Sequence, residues 1–235
     1  MGVSSPFPDR RSRILAELSV GADAGWTSTR LCEVTRDITG VSGAGVMLMS
    51  GDVPSGSLCT TDAVSDLIEE LQFTLGEGPC VDAYTETGVV LEPNLTEPGT
   101  PRWLAFSRQA LDAGVRAVFA FPLRVGTVRL GALDLYRDGP GPLSDEQHAD
   151  ALVMADVLAN WVLAVQANAP PGSVAEQLEQ DADFHFVVHN AAGAVSVQLG
   201  VSVTEALIRL RAYAFANGRR LPDVAEDVVA RRLRF

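Results

Sequence analysis

The stretch "RLRAYAFANGRRLPD", residues 209–223, gathers Arg209, Arg211, Arg219 and Arg220 around Tyr213. Guanidinium groups at this density neutralise phosphates, and guanidinium or aromatic planes stack on unpaired bases. Thiols are the other reactive groups. Cys80, in "GEGPC", is a candidate redox sensor if exposed as thiolate and an inert core residue if buried. Cys32, Cys59 and Cys80 are widely spaced, odd in number and without a Cys-x-x-Cys pair. That pattern argues against a zinc ribbon and a thioredoxin-type centre, and disulfide stapling is not expected for a chain of this size in a reducing compartment. His185 and His189 stand four apart with Asp181 as their one carboxylate neighbour, too thin a set for a metal site. His148 has no cysteine beside it, which weakens haem or bilin attachment, and the cofactor, if any, is unknown.

The background to these arginines is acidic. The net charge is -12 over 235 residues, and every basic residue is arginine. Residues 186–235 nevertheless carry seven arginines against four acids, a local charge of about +3. Such asymmetry directs an anionic partner to the C-terminal segment and away from the rest. With 47% apolar and 20% charged residues the chain reads as globular. No apolar run reaches the ~18 residues of a membrane span, and "MGVSSPFPDRRSR" lacks the apolar centre of a signal peptide. The expected location is cytoplasmic, with no membrane partner.

The elements that must position these groups follow from periodicity. Two helical runs fill residues 12–38, broken at Gly21 and Gly25, and "GAGVMLMS" (43–50) reads as a short buried strand turning into "SLCTT". A helix is expected over 63–73, then a loop leading to a strand near 89–91, then a helix ending at Gly114. The β-rich runs of 115–136 flank Val125–Gly126 as a hairpin. Ser144 and Gln147 form a capping box for a helix reaching about Asn168, where "PPG" stops it. Strands in the middle and helices at both ends predict an α+β domain, an antiparallel sheet flanked by helices, over 8–168. After a Pro/Gly linker at 169–174, residues 175–235 read as three helices. The first runs from about 174 to 199; the second follows Ser202, which caps with Glu205; the third starts near Pro222 and ends in "ARRLRF".

At this point a resemblance enters. "LGEGPCVDAYTETGVVLEPNL", the hairpin and "GPLSDEQHADALVMADVLA" look like the GAF domain of actinobacterial regulators. The segment "NAAGAVSVQLGVSVTEALIRLRAYAFANGRRLPDVAEDVVARRL" resembles the ANTAR domain, the RNA-binding three-helix module of transcription antiterminators. Ala191, Gly193, Glu205, Ala206, Leu210, Arg211, Ala214, Val224 and Ala225 fall at that family's spacing, while Ala194 stands where a bulkier apolar residue is common. The resemblance implies a sensor joined to an RNA reader, with a small-molecule ligand possible in the GAF domain. ANTAR proteins are expected to engage paired RNA hairpins, one per bundle.

Within the bundle, Val203, Ala206, Leu207, Leu210 and Ala214 repeat at helical spacing and are expected in the core. Gly193 is read as a point of close helix approach. Arg209, Arg211, Arg219 and Arg220 leave the core stripe and form the expected RNA-facing patch. Tyr213 is either a stacking platform or the edge of the core. Arg231, Arg232 and Arg234 either touch RNA or complement the end of the third helix. On the helix from Ser144, Met154, Val157, Leu158, Trp161 and Val165 make one of two apolar stripes, and a symmetric homodimer through it is expected. Two other classes stay open. A GAF-type methionine sulfoxide reductase would use the cysteines, and a DNA-binding regulator would use the three helices, although the turn "NGRRLP" is long for a helix-turn-helix.

Overall fold

Alternation along the strands assigns each residue to one of two faces of a single sheet. The computed structural model describes residues 9–20, 25–50, 53–86, 88–97, 102–168, 175, 178, 183–184 and 186–235. Its strands are β1 (Gly43–Ser50), β2 (Val53–Thr60), β3 (Val90–Glu92), β4 (Ala117–Val125), β5 (Val128–Arg137) and β6 (Asp183–Phe184). They pair antiparallel in the order β3-β4-β5-β1-β2-β6. On β5, Leu133 and Leu135 enter one core, while Ala132 and Tyr136 enter the other.

The first core is closed by α1 (Arg10–Ser19), α2 (Ser28–Thr39) and α6 (Asp145–Gln166). The second lies under α3 (Ala63–Leu75), α4 (Pro79–Glu86) and α5 (Leu104–Asp112). Helix ends obey local chemistry. Asp62 and Ser65 cap each other at the start of α3, and Gly76, at φ +66°, ends it in the left-handed region that suits glycine. Ser144 and Gln147 form the expected capping box on α6. The α+β layout therefore stands: a GAF-like antiparallel sheet flanked by helices, followed by a helical C-terminal region.

That region holds α7 (Phe186–Leu199), α8 (Val203–Ala216) and α9 (Leu221–Val229), which pack on one another. Val188, Ala191, Val195, Ala206, Leu207, Leu210, Ala214, Val224 and Val228 are buried among them. Val203, expected in the core, is exposed at the N-terminus of α8. Ser202 caps α8 through the Glu205 amide, but Glu205 turns away to pair with Arg209 instead of closing the box.

Several expectations shift. Residues 79–86, expected as loop, form α4, with Pro79 at its first position where a missing N–H costs nothing. The hairpin turn is Gly126–Thr127, one residue later than expected, because Val125 pairs with Val128 and Gly126 supplies φ +58°. The expected first C-terminal helix is described over Phe186–Leu199 and preceded by β6; residues 176–177, 179–182 and 185 lie outside the described residues, as does the linker 169–174. The last helix ends at Val229, short of its arginines. Gly193 makes no close approach, since a Cβ there would meet nothing within 4 Å. The helix α6 is long and apolar enough by composition to cross a membrane, contrary to the reading of short runs, but half of its apolar window is buried in the fold, including Met154, Val157 and Leu158. Finally, Cys32 on α2 and Cys59 on β2 form a disulfide spanning 27 residues of sequence. The expectation against a disulfide, drawn from chain size and a reducing compartment, is overturned, and Cys80 is the cysteine left free.

Candidate functional site

Two carboxylates meet inside the second core. Glu69 on α3 and Asp134 on β5 are only 1% and 4% exposed. Backbone register makes room for them. Gly45 lies opposite Asp134 in the β1–β5 ladder, and a side chain at Gly45 would collide with Glu69 Oε1. One turn after Glu69, Gln72 donates from Nε2 to Asp134 Oδ2 at 3.1 Å. Its Oε1 accepts the Cys80 N–H at 2.7 Å, which fixes the start of α4.

Burial sets the protonation of this cluster. It raises Asp134 to about 7, against the hydrogen bond from Gln72 that pulls the other way. Burial, with the charge of Asp134 added, holds Glu69 well above the usual carboxylate range. Both carboxyl groups therefore hold protons more tightly than free carboxylates, and they titrate as a pair. Burial likewise pushes the Cys80 thiol up, and Asp134 and Glu69 push it further. A buried, protonated thiol is no redox sensor, so Cys80 belongs to the core, the second of the two roles its sequence allowed. Cys32 and Cys59 belong to the first core, on the opposite face of the sheet from Cys80. Cys80 is therefore separated by the sheet from the Cys32–Cys59 disulfide.

The arginines separate into two groups. Arg209 is exposed and pairs with Glu205 at 2.6 Å. Arg219 pairs with Asp227 at 2.7 Å, and Arg220, exposed, occupies the N-cap of α9. Arg211 instead turns inward: its Nη2 donates to the Phe73 carbonyl at 2.6 Å, and its guanidinium lies 5.9 Å from the Phe73 ring centre. Burial lowers its pKa to about 10. Placing Arg211 on an open RNA-facing patch is thus corrected for this arrangement. Tyr213 is half-buried against Phe235, with ring centres 5.3 Å apart, which answers its open choice in favour of the core edge. Arg232 binds Asp227 rather than the carbonyls ending α9.

The C-terminal helices meet the sensor layer at further points. Residues 183–184 pair with Ser57 and Gly56 of β2. His189 Nε2 lies 3.3 Å from the Ser55 carbonyl, and its ring meets Phe73 edge-on. His185 and Asp181, the rest of the metal set weighed above, lie outside the described residues. The apolar stripe expected to pair two copies is spent within the chain. Met154, Val157 and Leu158 are buried in the first core, and Trp161 and Val165 are half-buried against it. Of the stripe, Met154, Val157 and Leu158 therefore serve the core of their own chain.

The profile of the GAF domain family matches residues 27–163, more than half of the sequence. The chain belongs to the GAF family. The matched segment spans α2 to α6 and contains the whole carboxylate cluster, while α7, α8 and α9 lie beyond it. Solved GAF domains show the same fold. The GAF domain of an Acinetobacter phosphoenolpyruvate-protein phosphotransferase superposes with a TM-score of 0.50 at 11% identity, covering 70% of this chain and 99% of that one. The corresponding domain from Coxiella burnetii gives 0.51 at 11% identity, covering 67% and 95%. No curated protein matches the chain. A GAF domain is a signal-sensing and ligand-binding module, so residues 27–163 form a sensor domain.

Proposed function

We propose that this GAF protein is a signal-responsive RNA-binding regulator that promotes transcription antitermination by holding paired hairpins in nascent mRNA. The observation that carries the reading is the exposed basic turn Arg219–Arg220 between α8 and α9, in a C-terminal segment of net positive charge within an acidic chain. The ANTAR resemblance of the same segment supplies the substrate class. Phosphate contacts from Arg219, Arg220 and Arg209 would provide affinity, and the acidic sensor would repel RNA elsewhere.

Signal enters at the sensor. Glu69 and Gln72 sit on α3, whose last turn also holds Arg211 of α8. A stimulus that moved α3 would change how α8 is held, and it acts only if it binds the two arrangements with different affinity. The reading needs no covalent chemistry.

Competition tests the class of partner. The full chain should bind a labelled two-hairpin RNA and release it to unlabelled hairpin RNA well before an equal charge of duplex DNA. Preferential displacement by duplex DNA would replace the RNA reader with a DNA-binding regulator.

A further inference from the structure

Helix α8 carries two apolar stripes, and the C-terminal core uses only one. Ala206, Leu207, Leu210 and Ala214 are buried among α7, α8 and α9. Ile208 and Phe215 lie seven residues apart on another side and remain 58% and 75% exposed. Arg211 falls between them at helical spacing, so the three share one face. That face looks into a cleft of about 720 Å³ between α8 and the sensor domain, closed on the other side by Leu71, Leu75 and Gln109.

The charge in this cleft is unbalanced. Arg211 is largely buried, yet among the described residues its one acceptor is the Phe73 carbonyl, and its Nε has no partner. Among the described residues no carboxylate pairs with it. Glu77 lines the same cleft, but its Oε1 accepts the Ala105 and Phe106 amides at 2.8 and 2.9 Å and caps α5. Arg219 lies at the rim, held by Asp227. A buried guanidinium without an anion costs free energy that a bidentate carboxylate recovers. A concave wall of apolar side chains around one such cation is what an amphipathic anion fits.

We propose that this cleft binds an amphipathic organic anion, a carboxylate with an aliphatic or aromatic body. The carboxylate pairs with Arg211, away from Glu77, and the apolar body lies along Ile208 and Phe215 toward Leu75. Because the walls come from both the sensor domain and α8, the ligand stabilises their docked arrangement by mass action. The site itself does not depend on the RNA reading. Only one consequence rests on that reading: an occupied cleft would hold α8 back from RNA.

Calorimetric titration of the full chain with decanoate tests the site, using decylamine as a cation of matched shape. One saturable decanoate site per chain is expected, with decylamine weaker by about tenfold or more. Arg211→Gln should weaken decanoate by a similar factor, the scale of one lost charge-assisted contact. Ile208→Asp and Phe215→Asp change exposed residues and read the same site if Arg211→Gln does not fold. Absence of saturable binding, equal affinity for the amine, or decanoate affinity unchanged in both exposed-residue variants would overturn the proposal. An RNA result of either sign leaves these outcomes distinguishable.

Discussion

Arg211 Nη2 donates to the Phe73 carbonyl across 2.6 Å, joining α8 to the last turn of α3. The carbonyls of a final helical turn lack partners in their own helix and mark its negative end. No basic residue of α3 itself occupies that turn, so the guanidinium of α8 fills the role. Since α3 also carries Glu69 and Gln72, the buried carboxylate cluster and α8 share one rigid element.

Gly76 makes this contact possible. A Cβ at that position would stand 2.5 Å from Arg211 Nη1, on backbone already at φ +66°. Gly76→Ala should therefore cost about 1–2 kcal/mol from backbone conformation alone. It should also loosen α8, seen as faster amide hydrogen exchange over residues 203–216. A lowered Tm with unchanged exchange in α8 would show that Gly76 serves α3 only.

Asp134 makes stability depend on pH with a defined sign. Its folded pKa of about 7 lies above the ~3.9 of an unfolded aspartate, so the folded state holds the proton more tightly. The associated stability is fully present below about pH 4 and is lost as pH rises through about 7. Asp227, held low by its hydrogen bonds from Arg219 and Arg232, acts in the opposite sense, losing stability only as pH falls. Denaturant titrations from about pH 5 to 8 should show both proteins weakening, since buried Glu69 remains, with wild type falling more steeply than Asp134→Asn. The gap should reach the order of 2–4 kcal/mol at the alkaline end. Parallel curves would mean that another group titrates.

The thiols should behave unequally. The Cys32–Cys59 bridge closes 27 residues, and reducing it should cost roughly 3–4 kcal/mol through the unfolded chain's entropy. A Tm lowered by reductant checks this. Cys80, buried and protonated, should resist a thiol reagent until the chain is unfolded, when a single thiol per chain reacts. Rapid labelling of native protein would contradict that placement.

Gly193 sits mid-helix beside open space. Gly193→Ala should stabilise the chain by about 0.5–1 kcal/mol, since alanine restricts the unfolded backbone and meets no neighbour. A fall in Tm would indicate a close approach that the structure does not contain.

Much of the fold was legible because local rules dominate it. The strand alternation of 117–137, the Ser144 capping box and the apolar spacing of α8 each point to one arrangement. Long-range pairings were not legible. Nothing near Glu69 or Asp134 in sequence marks them as partners, because 65 residues separate them and only the β1–β5 register brings them together. A buried-strand aspartate was the available signal: charge at position 134 inside an apolar β run needs a partner. Arg211 failed differently. Its departure from the core stripe suggested solvent, but the same angle on the helix faces the sensor domain.

The most direct measurement is binding of a two-hairpin RNA across salt concentrations, comparing wild type with Arg219→Ala/Arg220→Ala. The account predicts weaker binding by the double variant and a log–log salt slope shallower by roughly one to two units, the counterions released by two phosphate contacts. Equal affinity and equal slope would contradict it, leaving the basic turn as a solvated surface.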